Sequence, residues 1–96
     1  MIAPIQKTNV PLGMLLATPG ALSALEHAGQ SPAEFLARHQ QGDWGEVGAE
    51  DWEANDRDLK DGNRLLSAYR TKLNVKLWII TEADRNATTI LLPGEY

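Results

Sequence analysis

From Asn63 onward the chain changes its pattern. "RLLSAYRT", "VKLWIIT" and "ATTILLP" are rich in β-branched, aromatic and leucine residues, and the short connectors "KLN" and "EADRN" separate them. Runs of this length bounded by turn residues predict strands, and strands joined by such short connectors predict an antiparallel meander. In "VKLWIIT" both alternating sets are largely apolar, Val75, Leu77 and Ile79 on one side and Trp78 and Ile80 on the other. A strand of that kind is central and covered on both faces, with helices expected on one face and the N-terminal segment on the other.

The first two thirds of the chain carries helix punctuation. Thr18 is placed to cap a helix with Pro19 at its first position, and "ALSALEHA" sets Ala21, Leu22, Leu25 and Ala28 on one side before Gly29 stops it. Ser31-Pro32-Ala33-Glu34 has the form of a capping box, after which Phe35, Leu36 and His39 share a face up to Gly42. A third helix fits "EDWEANDRDLKDG", with acidic residues in its first turn, Lys60 near its end and Gly62 closing it. Its buried stripe would run through Trp52, Asn55 or Asp56, and Leu59. Upstream, "VPLGMLLAT" reads as an extended edge segment because of Pro11 and Gly13. The expected fold class is therefore α+β: two to three N-terminal helices packed on a C-terminal three-stranded antiparallel meander, with an N-terminal edge segment. A chain of 96 residues suits a single domain, 1–96.

Composition removes several kinds of chemistry. No cysteine is present, which excludes disulfides, thiolate metal sites and a cysteine nucleophile. Only His27 and His39 are available as imidazole ligands and the carboxylates lack ligand spacing, so neither a metal nor a cofactor is expected. No apolar run approaches the ~18 residues of a membrane span. "VPLGMLLATPGALSA" is interrupted by Pro and Gly and preceded by one lysine, so it reads as mature protein rather than a secretory signal. A cytoplasmic location is the simplest expectation.

Charge is unevenly distributed. Between Asp43 and Asp61 eight acidic and two basic residues give a net −6, while the rest of the chain is net +2. Asp43, Glu46, Glu50, Asp51, Glu53 and Asp56 form the acidic candidate surface; Arg64, Arg70, Lys72, Lys76 and Arg85 belong to the sheet region.

Four features could carry chemistry. "HQQGDWG" places His39 at a helix end with Asp43 as a candidate orienting partner, the arrangement a general acid or base would need. The competing structural reading has His39 complementing the helix dipole and packing beside Phe35 and Leu36, and it is favoured. Asn55 falls on the core stripe, where a buried amide must be bonded to a strand or to the "GDWG" turn. Ser67 and Tyr69 share a strand face, and no nucleophile motif surrounds Ser67. At the "EADRN" tip, Glu82, Asp84 and Arg85 make either a turn with surface ion pairs or the start of a phosphate site.

"RHQQGDWG", "RLLSAYRT" and "WIITEADRNATTILLPGEY" together resemble a group of short, poorly characterised bacterial proteins found on chromosomes, plasmids and other mobile elements. The resemblance spans about the last two thirds of the chain. It implies a bacterial cytoplasmic protein carried by mobile DNA, and no activity. In element order the chain is also similar to barnase-like and RelE-like ribonucleases, which implies phosphate-holding roles for Arg70, Lys76 and Arg85 and a proton-transfer role for His39 or Glu82. Two functions follow as expectations. The first is a non-enzymatic protein-binding module whose acidic surface meets a basic partner, with an inhibitor of a restriction or CRISPR-type defence as the finer version. The alternative is a small metal-independent ribonuclease or nucleotide-acting enzyme with RNA at the sheet face.

Overall fold

The computed structural model describes residues 9–96. Its elements run β1 (Met14–Ala17), α1 (Pro19–Ala28), α2 (Pro32–Gln40), α3 (Ala49–Asp61), β2 (Leu65–Arg70), β3 (Lys76–Thr81), β4 (Ala87–Leu91) and a 3₁₀ turn (Pro93–Glu95). The fold is α+β, with three helices and a four-stranded mixed sheet ordered β1-β4-β3-β2. The antiparallel meander is there in β2, β3 and β4, with Ser67 opposite Ile79 and Ile79 opposite Ile90. Beyond it, β1 joins β4 in parallel, Met14 beside Ala87 through Ala17 beside Ile90. Of the N-terminal segment, Met14–Ala17 is thus an edge strand in the plane of the sheet rather than a cover for its second face. Local turn signals cannot reveal such a pairing, because a parallel partner arrives by a long connection.

Helix ends follow the expected chemistry in part. The Thr18 hydroxyl accepts from Ala21 N–H at 3.2 Å, and Gly29 adopts φ 65° while its N–H returns to Glu26 C=O and Gln30 N–H to Leu25 C=O, a left-handed stop that satisfies two carbonyls of the last turn. The Ser31 capping box does not form. Its Glu34 carboxylate accepts instead from Gln30 Nε2 at 2.9 Å, leaving Ser31 without a side-chain cap. On α1 the buried residues are Ala21 and Leu25; Leu22 is 48% exposed, contrary to the expected stripe.

Two apolar clusters share the helix-facing side of the sheet. The larger joins Ala21, Leu25 and Phe35 to Tyr69, Leu77, Ile79 and Ile90; the smaller joins Val10, Trp44 and Leu65, flanked by Trp52 and Leu59. Because strand side chains alternate, Ser67 lies on the same face between Leu65 and Tyr69, and Thr81 and Thr88 lie opposite each other across β3 and β4. These buried hydroxyls form a polar row between the two clusters. The second face is closed at Trp78, whose ring meets Tyr96 edge-on at 5.9 Å, and Arg64 donates to the Tyr96 hydroxyl.

The outer edge of β2 is closed by two devices. The Asn55 amide of α3 donates to Leu66 C=O at 2.7 Å and accepts from Leu66 N–H at 3.2 Å, imitating a neighbouring strand. One residue pair further on, Ala68 N–H donates to Trp44 C=O and Ala68 C=O accepts from Glu46 N–H. Asn55 is therefore the lock between helix and strand that its place on the stripe required, and every β2 amide facing outward at Leu66 and Ala68 has a partner.

Candidate functional site

The hairpin tip is built around Arg85. Its backbone is left-handed at φ 63°, its N–H closes the turn onto Glu82 C=O, and Asn86 N–H is held by the Asp84 carboxylate at 2.9 Å. The guanidinium then spends its donors on backbone carbonyls: Asn63 at 2.7 Å, Glu82 at 3.0 Å, Ala83 at 3.4 Å and Asp58 at 3.1 Å. Two of these acceptors, Asp58 and Asn63, lie at the end of α3 and just after it, where the negative end of the helix favours a cation; the Asp58 carbonyl also accepts from Gly62 and Asn63 N–H. Arg85 clamps the tip to α3, and its donors are directed into the protein. Arg85→Ala is expected to lower stability by ~2 kcal/mol, since hydrogen bonds from a charged donor exceed neutral ones. Urea unfolding checks this, and a variant as stable as wild type would refute the clamp.

His39 is fully buried and lies at the centre of a chain of hydrogen bonds. Its Nδ1 is 2.5 Å from Ser67 Oγ and its Nε2 2.8 Å from Thr81 Oγ1; Thr81 Oγ1 is 2.8 Å from Thr88 Oγ1, which donates to Leu12 C=O at 2.8 Å. The carbonyl fixes the direction of the chain. Thr88 gives its proton to Leu12 and so accepts from Thr81, which in turn accepts from Nε2–H, leaving Nδ1 as an acceptor for the Ser67 hydroxyl. Burial first, and then the nearby Arg85 charge, together lower the His39 pKa to about 4, so the imidazole is neutral near pH 7. The Ser67–His39 contact has the form of an activated nucleophile, yet both side chains are sealed, at 0% exposure. Asp43 is not the histidine's orienting partner. It pairs with Arg38 at 2.8 Å and accepts from Gly45 N–H; burial opposes its charge, but these two donors outweigh burial and hold its carboxyl below the usual range.

The remaining candidate residues separate. Arg70 and Lys76 face each other where β2 meets β3, at the far end of β3 from Thr81 and hence ~16 Å from the Glu82–Arg85 tip. Arg70 is engaged by Glu46 at 2.8 Å and by Asn74. Glu82 is exposed one residue beyond β3, and Lys76 is exposed as well. His39 is sealed in the core, Arg85 is turned onto the end of α3 and Arg70 stands at the opposite end of β3, so these residues and Glu82 are not brought together.

The acidic residues divide into two groups. Asp43 and Glu46 are consumed by Arg38 and Arg70, and Asp56 accepts from the buried Trp44 indole at 2.9 Å. Glu50, Asp51 and Glu53 are exposed on the first half of α3, and among the described residues none of them makes an ion pair. Glu50 and Asp51 also sit where the helix N-terminus favours carboxylates, beside a Gly48 cap that supplies no side-chain bond. Against the same helix lies a surface groove of about 490 Å³, lined by Gln41, Gly42, Trp52, Asp56, Arg57, Leu59 and Lys60. Trp52 and Leu59 are half-buried in it, although the sequence pattern assigned both to the core. Their spacing of seven residues on a helix otherwise dense in charge is the signal from which this groove could have been read. Among the described residues, no group of three His, Asp or Glu side chains could hold a metal ion, and no helix is long and apolar enough to cross a membrane. No family model matches the chain, and none of the curated proteins or solved structures matches it either.

Proposed function

We propose that the chain is a non-enzymatic protein-binding module that engages a basic partner along α3. The observation that carries this reading is the juxtaposition of three exposed carboxylates, Glu50, Asp51 and Glu53, which make no ion pair among the described residues, with a groove that offers Trp52 and Leu59 to an apolar side chain. Partner surfaces combine an apolar anchor with a charged rim: the anchor supplies affinity, and the rim supplies attraction and orientation. Arg57 and Lys60 on the groove wall would fix register by accepting only a partner that places its own cations toward the Glu50 end.

Given the resemblance to proteins of mobile elements, the partner we propose is a nucleic-acid-binding defence or regulatory protein, met by carboxylates in place of phosphates. A ribonuclease on the sheet face has less support, because its histidine is sealed and its candidate cations lie at opposite ends of β3. Affinity capture from a bacterial lysate tests the proposal. A reproducible basic partner is expected with wild type, released by added salt and lost when Glu50→Gln, Asp51→Asn and Glu53→Gln are combined. Retention of that partner by the triple variant, or cleavage of RNA by wild type that His39→Ala or Arg85→Ala abolishes, would overturn it.

A further inference from the structure

The two edges of the sheet are treated in opposite ways. On β2 the outward amides are closed by Asn55 and by the Trp44–Glu46 segment. On β1 the even-numbered residues face β4, since Met14 N–H donates to Asn86 C=O and Thr18 N–H to Ile90 C=O; the Leu15 N–H and C=O therefore point away from the sheet. Among the described residues no strand pairs with that side. The side chains along it are apolar on both faces of the strand and open to solvent, with Met14 65%, Leu15 55% and Leu16 46% exposed, and Leu22 follows in the first turn of α1.

Edge strands ordinarily carry charge, proline or a bulge that discourages pairing. Here no charged residue occurs between Lys7 and Glu26, in a chain that is 23% charged and net −4. Along Met14–Ala17 itself a charged partner finds no opposite charge, and the carboxylate at the strand's end, Glu95, is held by the Thr18 hydroxyl and Gly20 N–H. A second copy of the chain, repelled by the acidic α3 side, meets no like charge along the strand itself.

We infer that β1 is a self-association seam, in which two copies pair their β1 strands antiparallel about a two-fold axis at Leu15 and join their sheets edge to edge. The geometry is self-complementary. Placing Leu15 opposite its symmetry mate lets the two residues exchange both N–H···O=C bonds, and the alternation then sets Met14 against the mate's Leu16 on one face and Leu15 against Leu15 on the other. Left-handed Gly13 on one side and Pro19 on the other limit the seam to β1 itself, so the contact is small and the dimer dissociates on dilution. This seam lies apart from the α3 surface and does not depend on the reading given for it.

Sedimentation velocity on the full chain between about 1 and about 500 µM tests the seam. A species of twice the 10.6 kDa chain mass is expected at the upper end, giving way to monomer on dilution. Leu15→Lys sets two like charges at the axis and should weaken association on the order of 100-fold or more, whereas the Glu50→Gln, Asp51→Asn, Glu53→Gln variant should associate at least as well as wild type. Should Leu15→Lys fail to fold, amide hydrogen exchange of wild type decides: the Leu15 amide gains protection with concentration while the Met14 amide, already bonded to β4, does not change. A 10.6 kDa species at every concentration, association undiminished in Leu15→Lys, or Leu15 protection independent of concentration would each overturn the seam.

Discussion

Gly45→Ala will lower the urea midpoint by ~2 M, corresponding to a loss of ~4 kcal/mol at the usual denaturant slope for a small domain. Gly45 has φ 74° and bridges to Ala68, between the Trp44 C=O that accepts from Ala68 N–H and the Glu46 N–H that donates to Ala68 C=O. A Cβ at this position would be driven into the Ala68 carbonyl oxygen and come within 2.6 Å of Tyr69 Cδ1. Neither obstacle is the free end of a flexible chain, so the segment must leave the β2 edge and take Trp44 with it. Gly62 is the internal control. It has φ 77° with nothing near its Cβ position, so Gly62→Ala carries only the left-handed penalty of ~1 to 2 kcal/mol. Equal losses in the two variants would show that contact with Ala68 and Tyr69 is not what Gly45 serves.

Acidification will destabilise the domain through His39. The unfolded imidazole takes up its proton near 6.5 and the folded one only near 4, so between these values the unfolded state binds more protons and stability falls as the pH is lowered. The contribution is complete above pH 6.5, and the loss reaches about 3 kcal/mol once the pH is below about 4. Charging the ring also puts a second N–H against Ser67, whose hydroxyl must then turn away from its only acceptor in the row. His39→Leu removes this pH dependence while costing ~3 kcal/mol at neutral pH, because Ser67 and Thr81 lose their buried partner. Urea midpoints measured at intervals from pH 7 to 4 test both parts, and an unchanged slope in His39→Leu would assign the acid sensitivity to other groups.

The sequence made some of this legible and concealed the rest for physical reasons. Apolar residues in both alternating sets of "VKLWIIT" correctly marked an interior strand, and Asn55 on a core stripe correctly implied a buried, bonded amide. Both follow from local rules. The identity of the His39 partners did not follow, since Ser67, Thr81 and Thr88 come from three different strands and meet only once the register is set. Asp43, four residues on in sequence, was the natural candidate, yet Arg38 captures it on the outside of the turn. At the hairpin tip composition left a turn and a phosphate site open; the difference is the direction of one guanidinium, which folds back onto the end of α3. Within the expected acidic surface the partners of Asp43, Glu46 and Asp56 were hidden in the same way, because Arg38, Arg70 and Trp44 lie across a glycine turn or far away in sequence.

The polar residues of the sheet hold the fold, and under the proposed function α3 meets the partner. Amide chemical-shift mapping on the labelled chain, with and without the partner captured from lysate, separates α3 from the sheet as the contact surface. Perturbations are expected along Glu50 to Lys60 and at Gln41 and Gly42, with the His39 ring remaining neutral and unshifted. Perturbations confined to Arg70, Lys76 and the Glu82 to Arg85 tip, with α3 unmoved, would contradict it.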